Sequence, residues 1–297
     1  MSGGARIAGA PISSWGIIEI PDWGYQMPAE RVLREAASLG LAAIEAGPED
    51  LLPREPAEVS KMLAKYELSL VGGFVPAVLH EPDLRERELA LVERRAKFFG
   101  AAGADVLVLA AITSTRPFEQ TAELGDAAWR ALSESLSAVE EICARHEVTP
   151  TLHQHFGTVI ERDDQLRRFL ESSEVGLCLD TGHLVIGGSD PVEIAELAGD
   201  RVNHVHLKDV NVEVAERLAR SELSFKETAQ KGAFRPLGDG DVDVGAVIDR
   251  LESASYGGWY VLEQDSVVET EPPEGEGPIE NVRKSLKFLE ACLRGSR

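Results

Sequence analysis

The sequence predicts a (β/α)8 barrel, because three observations agree. Apolar runs of strand character alternate with amphipathic runs of helical period along the whole chain. The chain has 297 residues, a length at which such barrels commonly form one domain. Strands that alternate with helices imply a parallel sheet, and eight such units close naturally into a barrel.

The elements follow one another in regular order. The predicted strands lie near residues 6–13, 42–46, 69–75, 105–111, 149–155, 175–180, 202–208 and 258–263. The predicted helices lie near 28–39, 56–66, 84–102, 126–146, 162–172, 190–198, 243–255 and 279–293. Asp190 is typical of a helix start, while Gly40 and Gly103 are typical of helix ends. We expect an extra helical insertion at 211–235 and an acidic Pro/Gly loop at 266–278, both within the single barrel domain.

The alternative fold is an open, doubly wound parallel sheet. In that fold a glycine-rich phosphate-binding turn is expected after the first strand. The segment Ser13-Ser14-Trp15-Gly16 is not such a turn, so the barrel is preferred.

Composition and charge exclude several classes of partner. The formal net charge of −21 and the isoelectric point near 4.8 disfavour nucleic acid, whose phosphates such a field repels. No run of apolar residues is long enough to span a membrane, and the beginning of the sequence lacks the apolar stretch of a signal peptide. We therefore expect a soluble, cytoplasmic protein, with a homo-oligomer left open.

Four predicted strand ends hold most of the side chains that could bind a metal. They are the segments Leu152–His155, Leu179–His183, His204–Asp209 and Val261–Asp265, which contain five of the seven histidines. Strand residues two apart point to the same side, so His153 shares a face with His155, and His204 shares one with His206. The carboxyl ends of barrel strands meet at one mouth, where active sites form.

A mixed imidazole and carboxylate set at this mouth predicts one divalent metal ion. The expected ligands are Asp180, His206, Glu263 and one residue from strand five, namely His153, Gln154 or His155. Without a thiolate in the set, Mn²⁺, Co²⁺, Fe²⁺, Mg²⁺ and Zn²⁺ all suit it. The competing interpretation is that these are ordinary hydrogen-bonded polar groups at strand ends.

Other residues near the mouth are candidates for substrate contact. Glu45 ends strand two and is expected to bind a substrate hydroxyl, while His80 follows strand three and could line the pocket. Trp15, with Trp23, could provide an apolar wall for a ring. Lys208 shares a face with His206 and could neutralise an enolate oxygen. Core packing or an ordinary salt bridge is the alternative for each.

Several motifs resemble those of one family. Most of the chain is similar to the xylose-isomerase-like sugar isomerase and epimerase TIM barrels, in the motifs Leu179–His183, His204–Asp209, Gly238–Asp243 and Tyr260–Glu263. The opening segments Ala10–Gly16 and Pro21–Tyr25 resemble one branch of that family, the myo-inosose-2 dehydratases.

The resemblance implies one catalytic metal, with Mn²⁺ or Co²⁺ expected first. The family holds its metal with a Glu, an Asp, a His and a Glu from strands five to eight, and this chain has His153 where the first Glu would stand. Epimerases use that Glu as one of two opposed acid/base groups, so its loss favours a dehydratase. The resemblance also implies that His183 and Arg235 contact the substrate.

The expected function is dehydration of a cyclic polyol ketone through an enediolate. His155 or Glu263 would remove the proton α to the carbonyl, and His183 or Lys208 would protonate the departing hydroxyl. One alternative is an isomerase or epimerase that acts on a ketose or keto-glycoside. A second is a non-catalytic barrel that binds a sugar or polyol. Each reading implies a small polyol or ketose as the partner.

Overall fold

Nine of the eleven strands among the described residues form one parallel sheet that closes on itself. The computed structural model describes residues 6–18, 23–115, 117–119 and 121–295. Its strands are β1 (Arg6–Gly9), β2 (Ala43–Ile44), β3 (Ser69–Leu70), β4 (Gly72–Ala77), β5 (Val106–Ala111), β6 (Thr149–His153), β7 (Gly176–Asp180), β8 (Val202–Leu207), β9 (Asp209–Val210), β10 (Phe234–Arg235) and β11 (Trp259–Leu262). Pro21 and Asp22 of the second opening motif lie outside the described residues.

The sheet order is β3-β2-β1-β11-β8-β7-β6-β5-β4, and β3 and β4 are separated only by Val71. The Val71 amide donates to Ile44 O at 2.9 Å, and the Val71 carbonyl accepts from the Val106 amide at 3.0 Å. β3 and β4 are therefore two halves of the third barrel strand, which joins both edges of the sheet. This closure confirms the predicted (β/α)8 barrel.

Helices surround the sheet in the expected order. They are α1 (Pro11–Ser14), α2 (Ala29–Ser38), α3 (Pro56–Ala64), α4 (Arg85–Ala101), α5 (Asp126–Arg145), α6 (Asp163–Ser172), α7 (Thr181–Ile186), α8 (Pro191–Ala198), α9 (Val212–Ala219), α10 (Phe225–Gln230), α11 (Val244–Ser253) and α12 (Pro278–Gly295). Each helix predicted from the sequence is present, with ends that shift by up to two residues. Among the described residues, no helix is both long and apolar enough to cross a membrane.

The first strand and the short helix α7 differ from what the sequence predicted. The first strand ends at Gly9 rather than near residue 13, because Pro11 has no N–H to continue a ladder and the chain turns into α1. The short helix α7 was missed, since it follows β7 directly without a loop. Gly40 and Gly103 have φ values of 77° and 79°, which confirms the predicted left-handed helix ends.

The insertion after β8 folds as a small unit over the barrel mouth. β9 and β10 pair antiparallel, and α9 and α10 lie between them. A separate apolar cluster of Trp23, Phe156, Ile186, Leu218 and Phe234, with others, holds the insertion to the barrel. The extra helical stretch at 211–235 is thus two helices framed by a ribbon.

The acidic loop after β11 is fastened to the first βα unit. The Arg31 guanidinium, which is buried, donates to Pro272 O at 2.7 Å and to Pro273 O at 2.8 Å. The Trp23 indole donates to Ser266 O at 2.9 Å, so the start and the middle of the loop have partners on this unit. These contacts fix the chain that leaves the eighth strand.

Asp209 explains why two of the sequence motifs occur together. Its Oδ2 accepts from the amides of Gly238 and Gly240 at 2.9 and 3.0 Å, and its Oδ1 accepts from the Val242 amide at 3.1 Å. A Cβ at Gly240 would lie 2.2 Å from Asp209 Oδ1, so glycine is required for this approach. The carboxylate therefore folds the Gly238–Asp243 loop.

Replacing Asp209 by Ala should cost about 2–4 kcal/mol of unfolding free energy, because three amides lose a largely buried acceptor. Urea unfolding followed by circular dichroism would measure the loss. Asp239→Ala is the matched control, since Asp239 is an exposed carboxylate of the same loop. Equal stability of the two variants would contradict the role given to Asp209.

Candidate metal centre and active site

Four side chains converge at the carboxyl ends of four adjacent strands. They are His153 of β6, Asp180 of β7, His206 of β8 and, directly after β11, Glu263. One ligand atom of each lies within 4.8 Å of those of the others, and all four residues are buried. His153 Nε2 lies 3.2 Å from Asp180 Oδ2, and His206 Nδ1 lies 2.6 Å from Glu263 Oε2. The barrel register thus builds a compact cluster of two imidazoles and two carboxylates.

The two carboxylate oxygens of Asp180 have different partners: one caps a helix, and the other faces the metal-ligand cluster. Its Oδ1 caps α7 by accepting from the amides of Gly182 and His183 at 2.9 and 2.8 Å. Its Oδ2 faces His153 and lies 3.8 Å from His206 Nδ1. The cap holds the carboxylate in one orientation, so its second oxygen is presented to the cluster.

Glu45 orients the imidazole of His206. Its Oε1 accepts from Nε2 of His206 at 2.9 Å and from Nε2 of His204 at 2.8 Å. A carboxylate accepts a hydrogen bond only from a nitrogen that carries a proton, so Nε2 of His206 is the protonated nitrogen. Nδ1 of His206 is therefore the atom left for a metal. A carboxylate that holds the far nitrogen of a ligand histidine is the usual arrangement around bound metals. Glu45 is therefore a positioning residue for this cluster.

The contact between two buried ligand atoms indicates that this cluster fits a cation. Within the described part of the chain, His206 Nδ1 and Glu263 Oε2 lie 2.6 Å apart without a well-aligned hydrogen bond, and both are buried. A cation bound between them would satisfy both atoms. Two imidazole nitrogens and two carboxylates suit a divalent transition metal.

A second combination of ligands uses a thiol. Cys178 of β7 lies with His153 and His206 in another cluster whose ligand atoms are within 4.8 Å of one another. Burial raises the pKa of the Cys178 thiol to about 11. A thiol binds metals as the thiolate, so the carboxylate combination is the better site at neutral pH.

Lys208 lies beneath the cluster as a buried cation. Its ammonium is 3.3 Å from Asp180 Oδ2, 3.1 Å from Glu263 Oε1 and 2.9 Å from Asp265 Oδ2. The side chain is 0% exposed and does not line the cavity above. Three carboxylates thus share one ammonium, and the excess negative charge favours a further cation.

The charges of the cluster follow from these contacts. Burial would raise the pKa of Asp180 and of Glu263, but the Lys208 ammonium and the neighbouring histidines together outweigh it. They hold the pKa of Asp180 well below its usual range and that of Glu263 at about 2. Burial would lower the pKa of His206, yet Cys178 and the carboxylates of Glu45 and Glu263 raise it well above 6.5. Both carboxylates are therefore ionised, and His206 carries a proton that a metal would displace.

The cluster forms one end of a cavity of about 1260 Å³. Glu45, His153, His155, His206 and Glu263 line it, as the sequence led us to expect. Asp265 lines it too, a residue to which sequence reasoning assigned no role although it shares a face with Glu263. Metal-ligand candidates and open space therefore meet at the barrel mouth.

His155 and His183 stack beside the cluster, with ring centroids 3.8 Å apart. His155 Nδ1 lies 2.6 Å from Phe156 O, so Nδ1 carries the proton and Nε2 carries the lone pair. Burial, followed by the charges of His153 and Lys208, lowers the pKa of His155 to about 3. Burial also lowers the pKa of His183 well below 6.5, and this ring is fully buried and does not line the cavity.

Three residues expected to contact a substrate lie elsewhere. Trp15 is fully buried in the core, and its indole donates to Glu35 Oε2 at 2.9 Å. His80 lies 3.5 Å from Glu81 and does not line the cavity. Arg235 is exposed on β10, outside the cavity lining. Their positions therefore give no support to the roles expected from the sequence.

Comparisons with known proteins agree with this geometry. Residues 33–292 match the family described as xylose isomerase-like TIM barrel. The chain is 29% identical to an inosose dehydratase of Clostridium perfringens over 95% of each chain. It is 31% identical to an inosose dehydratase of Geobacillus kaustophilus over 88% of this chain and 87% of the relative. A solved structure of L-ribulose 3-epimerase, 18% identical, has the same fold, with a TM-score of 0.74 over 99% of this chain and 96% of that one.

The fold and the site define a (β/α)8 barrel with a candidate metal centre at the carboxyl ends of its strands. Given the family match, the chain belongs to the xylose isomerase-like TIM barrel family.

Binding of a divalent metal should release about one proton near pH 7, because His206 carries a proton there that the metal replaces. The affinity should rise with pH up to the raised pKa of His206, which lies well above 6.5, and level off beyond it. Calorimetric titration with Mn²⁺ in buffers of different ionisation enthalpy measures the proton count. Binding without proton release, at an affinity independent of pH, would contradict the assignment of His206.

Lys208→Met should raise the metal affinity and destabilise the metal-free protein. The methionine fills a similar volume, but three buried carboxylates lose their cation, a change worth about 3–5 kcal/mol. Mn²⁺ should therefore raise the melting temperature of this variant by more than it raises that of the parent. Lys284→Met, at an exposed lysine paired with Asp239, is the control. Weaker metal binding by Lys208→Met would contradict the role of Lys208 as a competing cation.

Proposed function

We propose that the protein is a metal-dependent hydro-lyase that removes water from a cyclic polyol ketone, an inosose or a close analogue. The observation that carries the proposal is that three of the four candidate metal ligands, His153, His206 and Glu263, line one cavity together with His155. The similarity to two inosose dehydratases over most of the chain supports the same reaction class.

His153, Asp180, His206 and Glu263 would hold one divalent metal, with Mn²⁺ or Co²⁺ as the expected ion. When bound, the metal supplies a Lewis acid that polarises the ketone and makes its α-proton acidic. The protein's own contribution is the fixed orientation of these ligands, in which Glu45 and the α7 cap take part.

His155 is the candidate for proton transfer. In the described cavity lining it is the one imidazole outside the ligand set. Its pKa of about 3 keeps the ring neutral, so Nε2 can accept the α-proton while the C–H electron pair forms the enediolate. The imidazolium that results is a strong acid in this buried setting. It can pass the proton to the departing hydroxyl, which leaves as water when the enediolate collapses.

His183 and Lys208 have less direct roles in this proposal than the sequence suggested. Neither lines the cavity, and both are fully buried. His183 stacks against His155 and keeps its ring in place, and Lys208 sets the charge of the metal ligands. A single group that acts as base and then as acid implies loss of the proton and the hydroxyl from the same face of the ring.

The residue at the end of the fifth barrel strand favours dehydration over epimerisation. Epimerisation requires a proton-transfer group on each face of the reacting carbon. Epimerases use a carboxylate on the fifth barrel strand, which is β6 here, and this chain has His153 at that position. In deuterated water, an epimerase would return a ketone that keeps its hydroxyl and carries deuterium at the α-carbon. A dehydratase would return an unsaturated product.

The protein loaded with Mn²⁺ should convert inosose to a product that absorbs in the ultraviolet as an enedione. His155→Gln should lower kcat by about 100-fold or more, since it removes the proton-transfer group, while metal content stays unchanged. His80→Gln, at a histidine outside the cavity lining, should behave as the parent. Loss of metal from His155→Gln would make this residue a ligand instead. Binding of inosose without any turnover would leave only the non-catalytic interpretation.

A further inference from the structure

The cavity is larger than the proposed substrate requires. Its volume of about 1260 Å³ exceeds the roughly 300–1,000 Å³ that usually accommodates a drug-sized ligand. A single hydroxylated six-membered ring is smaller than such a ligand. The metal cluster and His155, which would bind the reacting ring, lie together at one end of the cavity.

The remaining walls are largely apolar. Six partly exposed apolar residues line them: Ile12, Ile18, Phe74, Leu91, Phe118 and Phe225. We call this part of the cavity the outer chamber. Apolar side chains left partly exposed inside a cleft are typical of a surface that binds an apolar group.

Two aromatic groups contact His155 in the outer chamber. In one, Phe74 and Phe118 have ring centroids 5.9 Å apart, and Phe118 lies 5.2 Å from the His155 ring. In the other, Phe225 lies 6.0 Å from His155 and stacks parallel to Phe156. Aromatic walls beside the proposed proton-transfer group suit a flat apolar substituent more than a second sugar.

The charges of the rim exclude an anionic substituent. The charged residues that line the cavity away from the metal cluster include the carboxylates of Glu49, Glu119, Glu222 and Glu227, against the cations Arg95 and Lys226. A phosphate or carboxylate at this position would meet a net negative field. The field therefore disfavours an anion, and the apolar walls favour an uncharged group.

We propose that the natural substrate is a cyclic polyol ketone that carries an uncharged apolar substituent, with an aryl ether or aryl glycoside as the best fit. This inference rests on the proposed function for the reacting ring and adds the group bound in the outer chamber. Phe225, from the insertion, and Phe118 are the residues that would distinguish the substituted ketone from the bare one.

The test compares inosose with its mono-O-benzyl and mono-O-methyl ethers on the metal-loaded protein. Binding is measured by calorimetry and turnover by product analysis. At least one benzyl ether should bind about tenfold more tightly than inosose, since a buried aromatic ring contributes at least that factor. Phe225→Ala and Phe118→Ala should remove most of this gain, measured in each variant as the ratio of its affinity for the ether to its affinity for inosose. Leu197→Ala is the control, because Leu197 is 51% exposed and lies outside the cavity lining.

The outcomes separate the inference from the proposed function. Turnover of inosose with no benzyl ether bound more tightly would overturn the inference and leave the function standing. Tighter binding of an ether that is lost in both phenylalanine variants, without water loss from any ketone, would support the chamber and overturn the function. If Phe225→Ala instead changes the oligomeric state and no ether gains affinity, the chamber is covered by a second copy and the inference is wrong.

Discussion

Three buried carboxylates around one ammonium group determine the character of this site. Asp180, Glu263 and Asp265 all lie within 3.3 Å of Lys208 Nζ, at the closed end of the cavity. Burying charge is costly unless each group has partners, so the cluster requires the barrel to hold every strand end in register. The same excess of negative charge favours a divalent cation. Fold stability and metal binding therefore depend on one set of contacts.

Further contacts hold the metal-ligand candidates and His155 in place above Lys208. Glu45, from a strand on the other side of β1 and β11, holds His206, while the cap of α7 holds Asp180. The insertion after β8 brings Phe225 against His155. The base of the cavity thus comes from the barrel strands, and part of its walls comes from the insertion after β8.

The sequence predicts the base of the site better than its walls. Asp180, His206 and Glu263 could be located because a strand alternates with a period of two and ends at a polar residue. The position of Trp15 could not be predicted, because its hydrogen bond to Glu35 depends on how two helical segments pack together. Phe225 was missed for the same reason, since nothing local indicates where an insertion packs. Contacts between distant segments decide these roles.

The most direct test of a metal centre at four adjacent strand ends is a crystal structure of the protein grown with Mn²⁺, with anomalous diffraction recorded for manganese. The account predicts one strong anomalous peak, within coordination distance of His153, Asp180, His206 and Glu263, at full occupancy. A peak bound by Cys178 in place of Asp180 and Glu263, or no peak at the base of the cavity, would contradict it.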